Sequence, residues 1–172
     1  MNINILFSII LVGLLTIFFL FKPLDLQQKV FTDVPLFELK QFTLHELDQF
    51  GLVTLMNGDN ALKYANRYEV GGINYTDNSQ DYIANMKANH GAYQDNTVTL
   101  DGDIFYLRED GITFETQKLV YNKESGIVVS KTPYTAFSGE NVVKGVSLQY
   151  NNLLDQIESK KVIVKYKLGD TI

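Results

Sequence analysis

From residue 35 onward apolar and polar side chains alternate, and the alternation is cut by clusters of Asn, Asp and Gly at intervals of roughly 8 to 15 residues. Successive side chains of a strand point to opposite faces, so period-2 alternation marks half-buried strands, while those cluster residues favour turns. Ile73 and Tyr75 follow the pattern, as do Tyr82 and Ala84, then Val98, Leu100, Gly102, Ile104 and Tyr106. Thr76 to Ser79, Asp95-Asn96 and Glu109 to Gly111 punctuate them. Ile112, Phe114 and Thr116 fall on even numbers and Leu119 and Tyr121 on odd ones, so a bulge or bend between Thr116 and Leu119 is needed to bring both sets to one face. Thr135 to Phe137, Val143 to Tyr150 and Val162 to Tyr166 complete ten or so short strands. Such spacing argues for an all-β sandwich, barrel or jelly roll.

The alternation is less regular between residues 35 and 72. Phe37 and Leu39, then Phe42 and Leu44, alternate with Glu38, Lys40, Thr43 and His45, with one slip near Gln41; this predicts one or two short strands. Gly51, Asn57 to Asn60 and Gly71-Gly72 read as punctuation, the glycine pair as a turn. Leu62, Tyr64 and Tyr68 fit helix or strand equally well.

One pattern, Leu-x-Tyr-Asn-x7-Ser, occurs twice. Leu119, Tyr121, Asn122 and Ser130 are matched 29 residues later by Leu148, Tyr150, Asn151 and Ser159. Val128, Lys131 and Phe137 find softer matches in Ile157, Lys160 and Tyr166. A repeat of this length marks a supersecondary unit that needs a neighbour to bury its apolar face. Leu and Tyr two apart share a face, and Asn suits the turn that follows. From spacing alone two readings stay open: these pairs are ordinary packed core, or they stand at the mouth of an interior where a tyrosine has one apolar and one wet end.

Ahead of the β region, Met1 to Phe21 carry no charged side chain, and Ile3 to Phe21 are almost all Ile, Leu, Phe and Val. In a helix those residues span roughly 29 Å at ~1.5 Å each, against about 30 Å of bilayer hydrocarbon. A cleaved signal peptide competes with a membrane anchor, but the run lacks a basic start and no small-x-small site follows it. The expected organisation is an anchor over residues 1–22 ended by Pro23, a tether over 23–34 and one folded domain over 35–172. Lys22 and Lys29 lie after the run, so the positive-inside rule on its own leans towards a cytoplasmic domain.

Chemistry is sparse in this chain. The absence of cysteine excludes disulfides and thiolate sites, and a net charge of −5 without a Lys/Arg cluster argues against nucleic acid. His45 and His90 have no metal-ligand spacing, and no nucleophile elbow, P-loop or dinucleotide fingerprint occurs. Asp101 and Asp103, flanking Gly102, and Glu109-Asp110 read as solvated turn acids; an anchored enzyme would need a polar pocket around Asp101, Asp103 and Glu115. An anchored β domain with a large apolar face and no catalytic set is suited to binding an apolar ligand or another protein. No cofactor or metal is expected.

The order of these elements resembles the LptC family, the single-span inner-membrane component of lipopolysaccharide export. The likeness is carried by the N-terminal apolar run, Val98-Thr-Leu100-Asp-Gly102-Asp-Ile104, and Gly111-Ile112-x-Phe114-x-Thr116-x-x-Leu119-x-Tyr121. It continues through Ser130-x-x-Pro133, Gly145-Val146-x-Leu148-x-Tyr150 and Ile157-x-Ser159. The resemblance implies a twisted, open, OstA-like β-jelly roll in the periplasm, in place of the cytoplasmic leaning of the charge rule. It also implies a lipopolysaccharide relay, taking lipid from inner-membrane permease subunits and passing it to a soluble periplasmic bridge protein of the same fold. The groove expected on that basis is lined by Leu100, Ile104, Phe114, Leu119, Tyr121, Leu148, Tyr150, Val164 and Tyr166. The docking edges are expected at Leu36, Phe37, Leu39, Phe42 and Leu44 on the N-terminal side, and at Val162, Val164, Tyr166 and Leu168 on the C-terminal side. A membrane-tethered adaptor domain without a lipid groove is the alternative.

Overall fold

The computed structural model describes residues 33–79 and 81–167, and all its regular structure is antiparallel β-sheet. Twelve strands follow in order: β1 Phe37–Asp48, β2 Gly51–Lys63, β3 Tyr68–Asp77, β4 Ala84–Gln94, β5 Thr97–Arg108, β6 Ile112–Asn122, β7 Ile127–Ser130, β8 Tyr134–Ser138, β9 Asn141–Gly145, β10 Ser147–Asn151, β11 Gln156–Lys160 and β12 Ile163–Lys165. The expected anchor over 1–22 and nearly all of the tether lie outside the described residues, as does Leu168. Among the described residues there is no helix, hence none long and apolar enough to cross a membrane.

Each of β1 to β6 pairs with the next. Beyond β6 the sheet forks: its C-terminal half continues through β7, β10 and β11, and its N-terminal half through β8, β9 and β12. The fork arises because the last three passes of the chain are each interrupted at mid-length, at 131–133, 146 and 161–162. The chain is therefore a meander of nine passes.

A line of irregularities crosses every pass at the same height. Lys40 pairs with Asn60 and Phe42 with Gly58, which brings Gln41 opposite Asp59. Asn60 pairs with Gly71 and Asn57 with Asn74, bringing Asp59 opposite Gly72. The line runs on through Asn89, Gly102-Asp103 and Gln117 to the three interruptions. Five residues on it have left-handed backbone: Gln41 (φ 48), Gly72 (φ 64), Gly102 (φ 76), Asp103 (φ 46) and Lys161 (φ 52). This conformation is uncommon for residues other than glycine and marks a local bend.

At this line the period of 2 fails. Inward side chains step by three residues, from Leu39 to Phe42, Val70 to Ile73, Ala88 to Gly91, Thr116 to Leu119 and Gly145 to Leu148, so two consecutive residues point outward. The outward pairs are polar or glycine in most passes: Lys40-Gln41, Asp59-Asn60, Gly71-Gly72, Asn89-His90, Gln117-Lys118 and Lys160-Lys161. A sheet with two outward positions in succession turns a corner, and its two halves become walls that face each other. Wall I holds 37–40, 60–63, 68–71, 90–94, 97–101, 118–122, β7, β10 and β11; wall II holds the remainder.

Contacts across the corner follow. A Cβ on Gly91 in wall I would lie 2.4 Å from Ile73 Cδ1 in wall II, so glycine is what lets the walls approach there. Ile73, Ala88, Leu100 and Ile104 form the buried cluster at the bottom of the fold, with Val70, Leu119, Met56 and Met86 packed on it. Ser130 and Thr116 join across the corner at 2.9 Å, and Tyr134 and Ser159 at 2.8 Å.

Several expectations are corrected by this register. Gly71-Gly72 is no turn but the corner of β3, and Asp101-Gly102-Asp103 is the corner of β5. Asn57 to Asn60 lie inside β2, and Phe37 to Asp48 form one long strand. Tyr82 precedes β4, and Val143 to Tyr150 is broken at Val146. The bend expected between Thr116 and Leu119 is present: Thr116 pairs with Ile104 and Leu119 with Leu100, which sets both on the inner face.

Candidate functional site: an apolar trough between two walls

Following the ladders from strand to strand gives rows that run the length of the inner face. On wall I the outer row is Phe37, Lys63, Tyr68, Tyr93, Val98, Tyr121, Val128, Tyr150 and Ile157. Below it runs Leu39, Ala61, Val70, Gly91, Leu100 and Leu119, continued in the C-terminal strands by Ser130, Leu148 and Ser159. On wall II the facing row is Leu44, Met56, Tyr75, Met86, Tyr106, Phe114, Ala136, Val143 and Val164. Apart from Lys63 and the serines Ser130 and Ser159, these rows hold only apolar or aromatic residues and glycine.

Between the walls lies a cavity of about 400 Å³, lined among others by Val70, Gly91, Val98 and Leu100 from wall I and Met56, Ile73, Tyr75 and Met86 from wall II. A second, of about 600 Å³, lies at the β1 end against Phe37, Leu39, Ala61, Lys63, Tyr68 and Val70. Their walls are mostly apolar. Both are open spaces of a size that suits acyl chains.

Burial governs the tyrosine hydroxyls that border the trough. It pushes Tyr106 up to about 12 and raises Tyr75, the latter with help from the nearby charges of Asp77 and Glu46. Tyr150 is raised by burial and by its hydrogen bond to Asp155. These phenols stay neutral at physiological pH and act as the polar tips of apolar walls. Among the described residues no group of three or more His, Asp or Glu is placed to hold a metal ion.

The residues expected from sequence fall as follows. Leu100 and Leu119 pair directly, and both lie on the inner face with Tyr121, Phe114, Leu148, Tyr150 and Val164. Leu100 and Ile104 are 3% and 2% exposed, so Ile104 belongs to the packed floor, while Leu100 also borders the cavity. Tyr166 lies beyond the end of β12 and is exposed. Met56, Val70, Ile73, Tyr75, Met86 and Tyr93 line the cavity and were not anticipated. The signal was present as alternation on each side of Gly72 and Asn89, but the three-residue step there disguised it.

Among the described residues both ends of the sheet are free: β1 pairs only with β2, and β11 and β12 only with β10 and β9. Leu36 precedes β1, its amide donating to Lys63 O, while Phe37, Leu39, Phe42 and Leu44 lie on β1 itself. Phe37, Leu39 and Leu44 sit in the inner rows, so what faces outward along the edge is backbone. Val162 immediately precedes β12, and Val164 is in it. Large apolar side chains are exposed at both ends, including Phe37, Leu44, Ile157, Ile163 and Val164.

Soluble domains usually protect their edge strands with charge, proline or a covering element, because an open ladder recruits another strand. Among the described residues twelve antiparallel strands form a trough whose two edge strands each lack a second partner, which defines a class of open β-sheet protein with an apolar inner face. Residues 6–162 match the family described as lipopolysaccharide-assembly, LptC-related, and the chain belongs to that family. It is thereby a component of lipopolysaccharide transport. Among curated proteins, none matches the chain.

Proposed function

We propose that this domain is an OstA-like β-jelly roll that relays lipopolysaccharide, holding its acyl chains between the walls while the lipid moves along the trough. Lipid enters at the β1 edge from inner-membrane permease subunits and leaves at the β11/β12 edge towards a soluble periplasmic bridge protein. Residues 1–22 anchor the protein in the inner membrane by a single span, residues 23–34 are the tether, and the domain faces the periplasm. One observation carries the reading: among the described residues the outer apolar row of each wall runs from one edge strand to the other. Strand addition at each edge would extend the same rows into the neighbouring domain. Each methylene moved from water into the trough contributes about 0.8 kcal/mol, so one long acyl chain contributes on the order of 10 kcal/mol. An adaptor without a lipid groove has no use for open apolar cavities between its walls, and they favour the relay over it.

In-cell photo-crosslinking tests the proposal. Probes at Tyr75, Val98 and Leu119 on the inner face should capture lipopolysaccharide, and probes at Thr99 and Val120, which pair on the outer face, should not. Capture from the outer positions with silence from the inner ones would reject the relay.

A further inference from the structure

The mouth of the trough is electrically lopsided. On the wall I lip, Lys63 Nζ lies 5.2 Å from the centre of the Tyr68 ring and Lys123 Nζ lies 4.9 Å from that of Tyr93. The two rings are neighbours, 6.3 Å apart and tilted by 33°. They come together because Tyr68 and Tyr93 are paired across β3 and β4, with Lys63 paired to Tyr68 from β2. Lys123 is fixed from the other side, its amide donating to Asn96 O in the β4–β5 turn, while the Tyr93 hydroxyl donates to Asn96 Oδ1. Among the described residues neither lysine forms an ion pair, although Lys40, Lys118 and Lys167 all do. Both are exposed. Tyr68, Tyr93 and Lys123 border the cavity between the walls, and Lys63 and Tyr68 border the one at the β1 end. Opposite, the wall II lip carries Asp77 and Glu46, whose charges are felt at the Tyr75 hydroxyl, while Arg108 in the same row lies over the Tyr82 ring and is ion-paired with Asp110.

A cation over an aromatic face keeps its charge and remains open to a second partner. Two of them beside a paired ring platform, at the mouth of an apolar trough and across from carboxylates, select the orientation of an anionic amphiphile. We propose that Lys63, Lys123 and the Tyr68–Tyr93 pair form a headgroup site that binds the phosphates of a phosphorylated glycolipid whose acyl chains lie in the trough. The inference rests on the relay reading, and adds to it which lip the headgroup faces and which residues discriminate phosphorylated from phosphate-free lipid. The acidic lip repels the same phosphates, so the lipid is carried with its headgroup towards wall I.

The test uses the full chain in a non-ionic detergent, with purified lipopolysaccharide and the same lipid stripped of its phosphates as probes. Exposed charge pairs contribute modestly, so K63Q/K123Q together should bind the phosphorylated lipid about tenfold more weakly. Its affinity for the stripped lipid should change far less, and K63R/K123R should retain the preference. Affinity of the unaltered protein should fall with added salt for the phosphorylated lipid only. Equal weakening for both lipids, or no weakening for either, overturns the headgroup site while leaving the relay intact. Failure of the unaltered protein to bind either lipid overturns both. Displacement of the phosphorylated lipid by equimolar inorganic phosphate would show a site for free phosphate and overturn the assignment to a lipid headgroup.

Discussion

The bond between Tyr134 and Ser159 joins wall II to wall I, and its hydrogens can be assigned. Ser159 Oγ lies 2.8 Å from Ser147 O and donates to that carbonyl, so in the 2.8 Å contact with Tyr134 the tyrosine hydroxyl is the donor and Ser159 the acceptor. Tyr134 is 5% exposed and its ring stacks on Phe114 at 5.4 Å, so the ring stays in place if the hydroxyl is removed. Tyr134→Phe therefore loses one neutral hydrogen bond, about 1 kcal/mol. Ser159→Ala loses that bond and the one to Ser147 O, and strands a buried phenol, on the order of 3 kcal/mol altogether. The order of the two effects is only half of the prediction. Once Ser159 is alanine, the Tyr134 hydroxyl is a liability, and Tyr134→Phe in that background should raise stability by about 1 kcal/mol. Urea unfolding of the four proteins, followed by tyrosine fluorescence in one detergent, completes the cycle. A loss from Tyr134→Phe of equal size in both backgrounds would refute the assignment of donor and acceptor, and with it the latch across the corner.

Two further outcomes follow from the same geometry. Ile104, 2% exposed on the floor of the fold, should cost about 2–5 kcal/mol as Ile104→Ala, whereas Val164→Ala at the exposed end of the wall II row should cost under about 1 kcal/mol; thermal melting of the two variants compares them. Asp103 at the corner of β5 is held below the ordinary carboxylate value by hydrogen bonds from Gln117 and Asn89. A depressed folded-state pKa stabilises above the unfolded value and loses that effect as pH falls through the folded one, so the contribution disappears in acid below the usual range. Melting temperature against pH should fall less steeply there in an N89A/Q117A variant than in the unaltered protein, and equal slopes would discount the corner network.

The strands themselves were legible because β-structure writes its face into residue parity. From β5 onward the alternation is strong enough to assign Leu100, Phe114, Leu119 and Tyr121 to one face from the sequence. What parity hides is a corner. Gly71-Gly72 and Asp101-Gly102-Asp103 have the composition of turns, and locally they do adopt left-handed backbone at Gly72, Gly102 and Asp103. The chain nevertheless continues forward through them, because the ladders on both sides stay in step with their neighbours. A hairpin turn reverses direction and re-pairs a strand with its own predecessor, whereas here the bend is shared by every pass. A single segment cannot show that difference; only the recurrence of a polar or glycine pair at the same height in successive strands does. By simple parity Val70 and Ile73 fall on opposite faces, although the ladders set them on one, so none of the groove residues expected from sequence lies in β1 to β4.

The 29-residue repeat gains a specific meaning from the same corner. Its two copies are the β6–β7 and β10–β11 hairpins, which lie side by side in wall I through the β7–β10 ladder. In each, the Asn caps the turn: Asn122 Oδ1 accepts from Ser125 N at 2.8 Å, and Asn151 Oδ1 from Leu153 N at 3.0 Å. In each, Leu and Tyr stand in the inner rows. In each, the Ser that closes the pattern reaches across the corner, Ser130 to Thr116 and Ser159 to Tyr134. The choice between packed core and trough lining is thus not one choice for the whole motif. Its serine ends lie at the corner, where Ser130 is fully buried and bonded, and the chain there is packed against wall II. Its tyrosines stand two residues further out on the rim, where the Tyr121 ring borders the cavity between the walls and the Tyr150 hydroxyl donates to Asp155 Oδ1 at 3.2 Å. Core and lining are the two ends of one unit, the serine holding the walls together at the depth from which the tyrosine lets them part.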